Sequence, residues 1–441
     1  MAKVLSEIVQ ALADWNPWWE TGAVPPALKG ISRPYTDELV RLAEERQIKI
    51  VTGVRRGGKS TLFYQVIDWL LQTKRAQPQQ ILLVNFEDAA LARAGIEKIY
   101  SAYQTTFGVQ GAVWFFLDEV HRQEHWESWI RKWYDLKRNF HFFITGSSAY
   151  LLKKEYATLL TGRNLALEVF PLSFREFLVF KNVALPANGA LSTTAADNLQ
   201  FHFNHYLATG GFPEVLTKDE AIRRKLLNQY FDDLLYKDIV ARFGANYQKL
   251  KELAVYLLTN NANLLSQRSV RGQLEMGLGT IGEYLGFFED AWLVLQSPKF
   301  DFSYQKQLAN PKKIYAIDLG LKDAVAFRFS EDYGRNLENL VAIELRRRGL
   351  ELFYWKNGNG LETDFLIRTA TKVSTAIQVA ARLNNPKTKK REVSGLLAAL
   401  NHFDLKEGII LTGDESGDEM MEGKTIRYQP IWKWLLEGSS N

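Results

Sequence analysis

The sequence predicts an α/β protein that opens with a parallel sheet covered by helices on both faces. It continues into a helical and winged-helix middle and ends in a second, smaller α/β domain. Short apolar runs at 48–52, 81–86, 113–117, 141–145 and 165–170 alternate with helical stretches, the pattern of strands buried on both faces and joined by crossover helices. A glycine-rich loop follows the first run, and two carboxylates end the third. From about residue 331 the α/β alternation returns in shorter form.

Residues 1–46 form an N-terminal segment containing Trp15, Trp18 and Trp19, which read as packing residues, then Pro25-Pro26 and a helix near 35–46. Residues 47–170 make the sheet core, where Trp126, Trp129 and Trp133 at spacing i, i+3, i+7 mark the buried face of one helix. Residues 171–246 are helical, interrupted by a stretch at 183–197 rich in Ala, Asn, Ser and Thr and by Gly210, Gly211 and Pro213. Residues 247–330 read as three short helices and a strand from Trp292 to Gln296, the order of a winged helix. Its recognition helix, 280–290, carries Glu283, Glu289 and Asp290 but no Lys or Arg, whereas the preceding helix offers Arg268 and Arg271. Residues 331–441 give helices at 335–348 and 389–402 with strands at 351–355, 362–367, 375–380 and 408–412.

The bulk numbers describe a globular chain: 441 residues, 46% hydrophobic and 24% charged. No run approaches the roughly 18 apolar residues of a membrane span, and the chain reads as cytoplasmic. The lack of cysteine excludes disulfides and thiolate metal sites. The net charge of +5 is concentrated at Arg223–Lys225, Arg346–Arg348 and Lys387–Arg391. These clusters read either as solvated faces or as a nucleic-acid surface.

Gly53-Val54-Arg55-Arg56-Gly57-Gly58-Lys59-Ser60 fits G-x-x-x-x-G-K-[ST], directly after a strand and before a helix opening with Thr61. Such a loop wraps phosphates with backbone N–H groups at a helix N-terminus. Gly53, Arg56, Gly57, Gly58, Lys59, Ser60 and Thr61 are therefore the expected ATP-binding residues. Lys59 neutralises the terminal phosphates, and Ser60 ligates Mg²⁺. Whether Arg55 and Arg56 face a neighbour or only raise the local potential is left open.

Trp114-Phe115-Phe116-Leu117-Asp118-Glu119 supplies the complementary half, with Asp118 on Mg²⁺ and Glu119 as the base that activates water. Transfer to a substrate hydroxyl would not need Glu119. Thr145 or Ser147, after the next strand, is a candidate γ-phosphate sensor or a simple strand cap, and Arg163 a candidate arginine finger or coupling residue.

Together these segments resemble prokaryotic AAA-type P-loop ATPases with a C-terminal DUF4143 domain, and the resemblance covers nearly the whole chain. It is carried by GVRRGGKST at 53–61, FFLDEVH at 115–121, ITGSSAYLL at 144–152, TGRNLALEVFPLSFREF at 161–177, YLATGGFPEVL at 206–216, KKIYAIDLGL at 312–321, NLENLVAIEL at 336–345 and ETDFLI at 362–367. The resemblance implies an ATPase core, a homo-oligomer, and a C-terminal domain similar to restriction-endonuclease folds. In Gly211-Phe212-Pro213 it suggests a nucleotide contact at Pro213, against the plain reading of a turn between helices. Nucleases of that fold use a helix glutamate, a strand aspartate and a Glu-x-Lys pair. Glu338 and Asp364 fill the first two places, but Gln378 and Ala380 stand in the last, so nuclease activity is not expected. The expected function is ATP hydrolysis coupled to conformational change and acting on DNA. The alternative is a slow nucleotide-gated signalling or defence switch with a protein partner.

Overall fold

The computed structural model describes residues 2–146, 160, 162–184, 192–327 and 332–437. The chain divides into two compact units, residues 1–169 and 170–441.

In the first unit the five apolar runs are strands β1 (Ile48–Gly53), β2 (Ile81–Asn85), β3 (Val113–Asp118), β4 (Phe140–Gly146) and β5 (Asn164–Val169). They form a parallel sheet in the order β2-β3-β4-β1-β5. Because β4 lies between β3 and β1, three strand ends converge: the acidic end of β3, Thr145 on β4, and the loop leaving β1. Each face of the sheet has its own apolar core. On one, the helix Trp126–Asp135 buries its three tryptophans, with Trp129 and Trp133 rings 4.2 Å apart. The N-terminal tryptophans also pack inward. Trp18 and Trp19 both donate indole N–H bonds to the Ile81 carbonyl, and Asn16 Oδ1 accepts the Leu83 N–H, fastening the segment to β2. Lys49 is a polar intruder on β1; its ammonium donates to the Ala43 and Glu45 carbonyls, and burial pushes its pKa down to about 7.

The second unit begins with the helices Phe174–Phe180, Thr193–Thr209 and Glu220–Asp233. Helices Tyr247–Thr259, Gln267–Leu274 and Leu278–Asp290 follow, with a small antiparallel sheet of β6 (Leu264–Leu265), β7 (Val294–Ser297) and β8 (Lys312–Ala316), ordered β6-β8-β7. The strand read as Trp292–Gln296 starts two residues later because Trp292, at φ 59°, turns the chain out of the preceding helix. The C-terminal sheet holds β9 (Phe353–Lys356), β10 (Glu362–Thr369), β11 (Lys372–Ala380), β12 (Glu407–Thr412), β13 (Gly417–Met421) and β14 (Lys424–Pro430). Its order is β13-β14-β12-β11-β10-β9, with the helices Asp332–Arg347 and Pro386–His402 packed on it.

Two separate sequence motifs meet here. Asp318 Oδ2 accepts the Gly211 N–H at 2.6 Å, while Oδ1 caps the helix Leu319–Val325 by accepting the Leu321 N–H at 2.8 Å. A Cβ at Gly320 would stand 2.2 Å from the Thr209 carbonyl oxygen, and one at Gly211 would stand 2.5 Å from that of Leu172. Only glycine permits this approach. Among the described residues, no helix is long and apolar enough to cross a membrane.

Candidate nucleotide site

The phosphate loop requires its glycines for two different reasons. A Cβ at Gly53, whose φ is 142°, would lie 2.0 Å from the Val169 carbonyl oxygen of β5, so bulk is excluded there. Gly58, at φ 96°, turns the chain into the helix Lys59–Gln72. Arg56 adopts the left-handed region at φ 67°. Lys59 is buried, and its ammonium donates to the Gly53 and Val54 carbonyls at 2.9 and 3.1 Å. Thr61, half-buried in the first turn of that helix, has its methyl group facing Gly30.

Asp118 is the hub. Its Oδ2 accepts the Ser60 hydroxyl at 2.6 Å, and its Oδ1 accepts the Thr145 hydroxyl, whose oxygen in turn accepts the Glu119 N–H at 2.9 Å. Burial and the neighbouring Glu119 push the Asp118 carboxyl up to about 6, against the opposing pull of Ser60, Thr145 and Lys59. Glu119 sits at φ 55°, a conformation strained for a side chain of its size and found disproportionately at functional sites. Its Oε2 is buried without a hydrogen-bond partner, the His121 Nδ1 lying 3.4 Å away. A hydroxyl beside a carboxylate suits Mg²⁺, which keeps several waters and takes one or two protein oxygens plus phosphate. The residues therefore fit the ion, with Ser60 and Asp118 as its holders.

One neighbour of the loop escaped the sequence reading. Arg33, 4% exposed, donates from Nη1 to the Gly57 carbonyl at 2.8 Å, and its guanidinium lies 4.8 Å from the Tyr35 ring centroid. Gln65 on the loop's helix donates to the Lys29 and Ile31 carbonyls and accepts the Thr36 hydroxyl, which seats the segment 29–36 along that helix. A lone arginine outside any periodic pattern gave no signal.

Arg163 lies at the opposite end of the sheet from the phosphate loop of its own chain. It immediately precedes β5, its carbonyl accepts the Ile48 N–H at the start of β1, and its Nε donates to Asp135 at 3.0 Å. The phosphate loop leaves the other end of β1 at Gly53, roughly 17 Å away at 3.3 Å per residue step. Arg163 therefore does not reach the phosphates of its own chain. Ser147 lies outside the described residues. Pro213 opens a 3₁₀ turn behind the Gly211–Asp318 joint, in the second unit.

The second acidic group converges as well. Glu338 and Asp364 come together, joined by Glu362 and by Lys313, which the sequence reading had not singled out. The Lys313 Nζ is 2.9 Å from Glu338 Oε1, 2.8 Å from Glu362 Oε1 and 2.9 Å from Asp364 Oδ1. Gln378 accepts the Asp364 N–H at 3.2 Å and donates to Glu392 at 2.6 Å. The signal available was a second lysine, after Lys312, leading into the apolar run Ile314-Tyr315-Ala316.

Comparison with known proteins matches three stretches of the chain. The family described as "AAA domain" matches residues 45–178, "Domain of unknown function (DUF8612)" matches 200–332, and "Domain of unknown function (DUF4143)" matches 333–434. The uncharacterized protein MJ1544 of Methanocaldococcus jannaschii is 34% identical over 407 residues, 88% of each chain. An uncharacterized protein of Haemophilus influenzae is 30% identical over 418 residues, 91% of this chain and 98% of that one. Among solved structures, the Walker-type ATPase PABY2304 of Pyrococcus abyssi aligns over 67% of this chain and 95% of its own, with TM-score 0.43 and 13% identity. AMPPCP-bound DnaA from Aquifex aeolicus aligns over 60% and 92%, with TM-score 0.29 and 14% identity. With the phosphate loop, the acidic end of β3 and relatives matching over nearly their full length, the chain belongs to the family of AAA-domain P-loop proteins that carry a C-terminal DUF4143 domain.

Proposed function

We propose that this protein hydrolyses ATP and couples its nucleotide state to a conformational change acting on DNA. The observation that carries the reading is the chain of contacts from Ser60 through Asp118 to Thr145 and the Glu119 backbone, ending in a Glu119 carboxylate oxygen left without a hydrogen bond. The loop N–H groups and Lys59 bind the phosphates. Ser60 and Asp118 would hold Mg²⁺, which would supply charge neutralisation for the phosphates. That Glu119 oxygen orients the attacking water and accepts its proton. Thr145 holds Asp118 and Glu119 in register. Arg163 acts only in trans, at the site of a neighbouring subunit in a homo-oligomer, and Pro213 is a secondary nucleotide contact. The second unit divides into a helical part (171–246), a winged-helix part (247–330) and a nuclease-like part (331–441) that does not cleave.

Glu119→Gln tests the core of this reading. ATP stays bound while hydrolysis falls by about 10²–10⁴-fold; hydrolysis at the parental rate overturns the assignment. For DNA, the measurement is multiple-turnover hydrolysis across single-stranded, duplex and branched substrates, with stimulation that weakens as salt rises. One observation favours a protein partner instead. The helix Leu278–Asp290 carries no Lys or Arg and buries Asp290, a poor surface for phosphates. A rate indifferent to every nucleic acid selects that second reading.

A further inference from the structure

The cluster around Lys313 is in the place where the resembled nuclease fold holds a divalent metal, and the residues present do not fit one. An ammonium has three N–H donors and no acceptor. That of Lys313 donates to Glu338 Oε1 and Asp364 Oδ1 at 2.9 Å, and Glu362 Oε1 forms an ion pair with the same nitrogen at 2.8 Å. The centre of the carboxylate set is thus filled by nitrogen. A magnesium ion needs its oxygens at about 2.0–2.1 Å and calcium at about 2.3–2.6 Å, so neither shares that centre with the Lys313 Nζ.

Further donors converge on these carboxylates. Tyr315 donates its hydroxyl to the same Glu338 oxygen at 2.7 Å, and the Val379 N–H donates to Asp364 Oδ2 at 3.0 Å. Gln378 binds the Asp364 backbone and Glu392, as a neutral bracket where the resembled nucleases carry a charged residue. Lys313 itself is 3% exposed. Burial alone would lower its pKa, but Asp364, Glu338, Tyr315 and Glu362 outweigh it and hold the amine well above its ordinary value. It stays charged.

The source of this cation matters. Lys313 belongs to β8 of the small three-stranded sheet, while its three acceptors lie on the helix Asp332–Arg347 and on β10. We propose that Lys313 is the resident cation of the C-terminal acidic cluster, standing in place of a divalent metal and tying β8 to the nuclease-like sheet as a metal-free clasp. The sequence reading expected a non-cleaving domain from what β11 lacks; the clasp adds a positive cause, because the metal's position is taken. This inference is independent of ATP hydrolysis.

The test is Mn²⁺ binding to the full chain without nucleotide, followed by electron paramagnetic resonance, each protein being compared with its Asp364→Asn counterpart so that only Asp364-dependent binding is counted. The parent is expected to show none. Lys313→Ala is expected to gain one Asp364-dependent Mn²⁺, bound at least tenfold more tightly than any such binding in the parent. If Lys313→Ala does not fold, by its near-ultraviolet circular dichroism, Lys313→Gln combined with Glu338→Gln replaces it, since this keeps the formal charge of the cluster at that of the parent and retains Glu362 and Asp364. Asp364-dependent Mn²⁺ binding by the parent overturns the proposal. So does a folded Lys313 variant that gains no ion, or DNA cleavage by the parent that Asp364→Ala abolishes.

Discussion

The protein contains two buried acidic sites, each with a lysine nearby, and they are wired in opposite ways. At the end of β3, Asp118 takes its hydrogen bonds from the neutral hydroxyls of Ser60 and Thr145, while Lys59 turns to the backbone carbonyls of its own loop. Beside β10, Asp364, Glu338 and Glu362 all face one shared ammonium, beyond what the Tyr315 hydroxyl, the Val379 N–H and Lys356 add singly. Hydroxyl donors hold a carboxylate in position without cancelling its charge, so the first site remains attractive to a cation. A lysine cancels part of the charge and fills the space, and the second site is closed. What separates an acidic site able to receive an ion from one that is already complete is thus the kind of donor around it, more than the number of acids.

The largest effect expected from breaking this contrast is catalytic. Glu119→Gln lowers steady-state ATP hydrolysis by about 10²–10⁴-fold, whereas Glu338→Gln in the closed site leaves the rate unchanged; an equal loss from both would erase the distinction. Stability reverses the ranking. Removing one partner of a buried ion pair costs about 3–5 kcal/mol, so Lys313→Ala lowers the urea midpoint of the second unit strongly. Lys59→Ala, which removes two hydrogen bonds to carbonyls, costs the first unit about 1–3 kcal/mol while abolishing nucleotide binding in a fluorescent-nucleotide titration.

A smaller effect is in the pH dependence. Burial, then the nearby Asp364, pushes the Glu338 carboxyl up to about 7 from 4.5. The folded state therefore holds a proton that the unfolded chain releases between those values. Its stabilising contribution is complete below about 4.5 and is lost as pH rises through 7, by at most about 1.4 kcal/mol per pH unit. Unfolding free energies of the parent and Glu338→Gln, compared across this window, should shift in favour of the variant as pH rises. The smallest effect is that of Arg163→Ala, which breaks a half-exposed pair with Asp135 and changes stability by less than about 1 kcal/mol. Its effect on hydrolysis should appear only at concentrations where subunits associate.

The first site was almost fully legible in the sequence, because its chemistry is carried by contiguous strings: an eight-residue loop, and a strand whose last residues are its acids. The five strands of its sheet were readable for the same local reason, each being one apolar run. The second site was half legible. Glu338 and Asp364 were found through the spacing of a resembled motif, but their central cation comes from a strand that the reading did not recognise, on a different sheet. Arg33 was missed likewise, since its contact with Gly57 spans 24 positions and no periodicity marks it. The Gly211–Asp318 joint lay in two quoted motifs whose meeting, 107 residues apart, no local pattern encodes. Arg163 shows the converse. Its proximity in sequence to a glycine suggested phosphate chemistry, but the direction of β5 puts it at the wrong end of the sheet.

The position of Lys313 also bears on how this chain is divided. The stretch matched as DUF4143 begins at residue 333, twenty residues after the lysine that neutralises its acids. A boundary drawn there by sequence similarity runs through the middle of an electrostatic unit, giving the anions to one domain and their counterion to the other. Excised at that line, the C-terminal domain would carry three converging carboxylates without the cation they share, keeping only the pairing of Lys356 with Glu362 at 3.3 Å, and on the clasp proposal would become a site for a metal ion from the buffer.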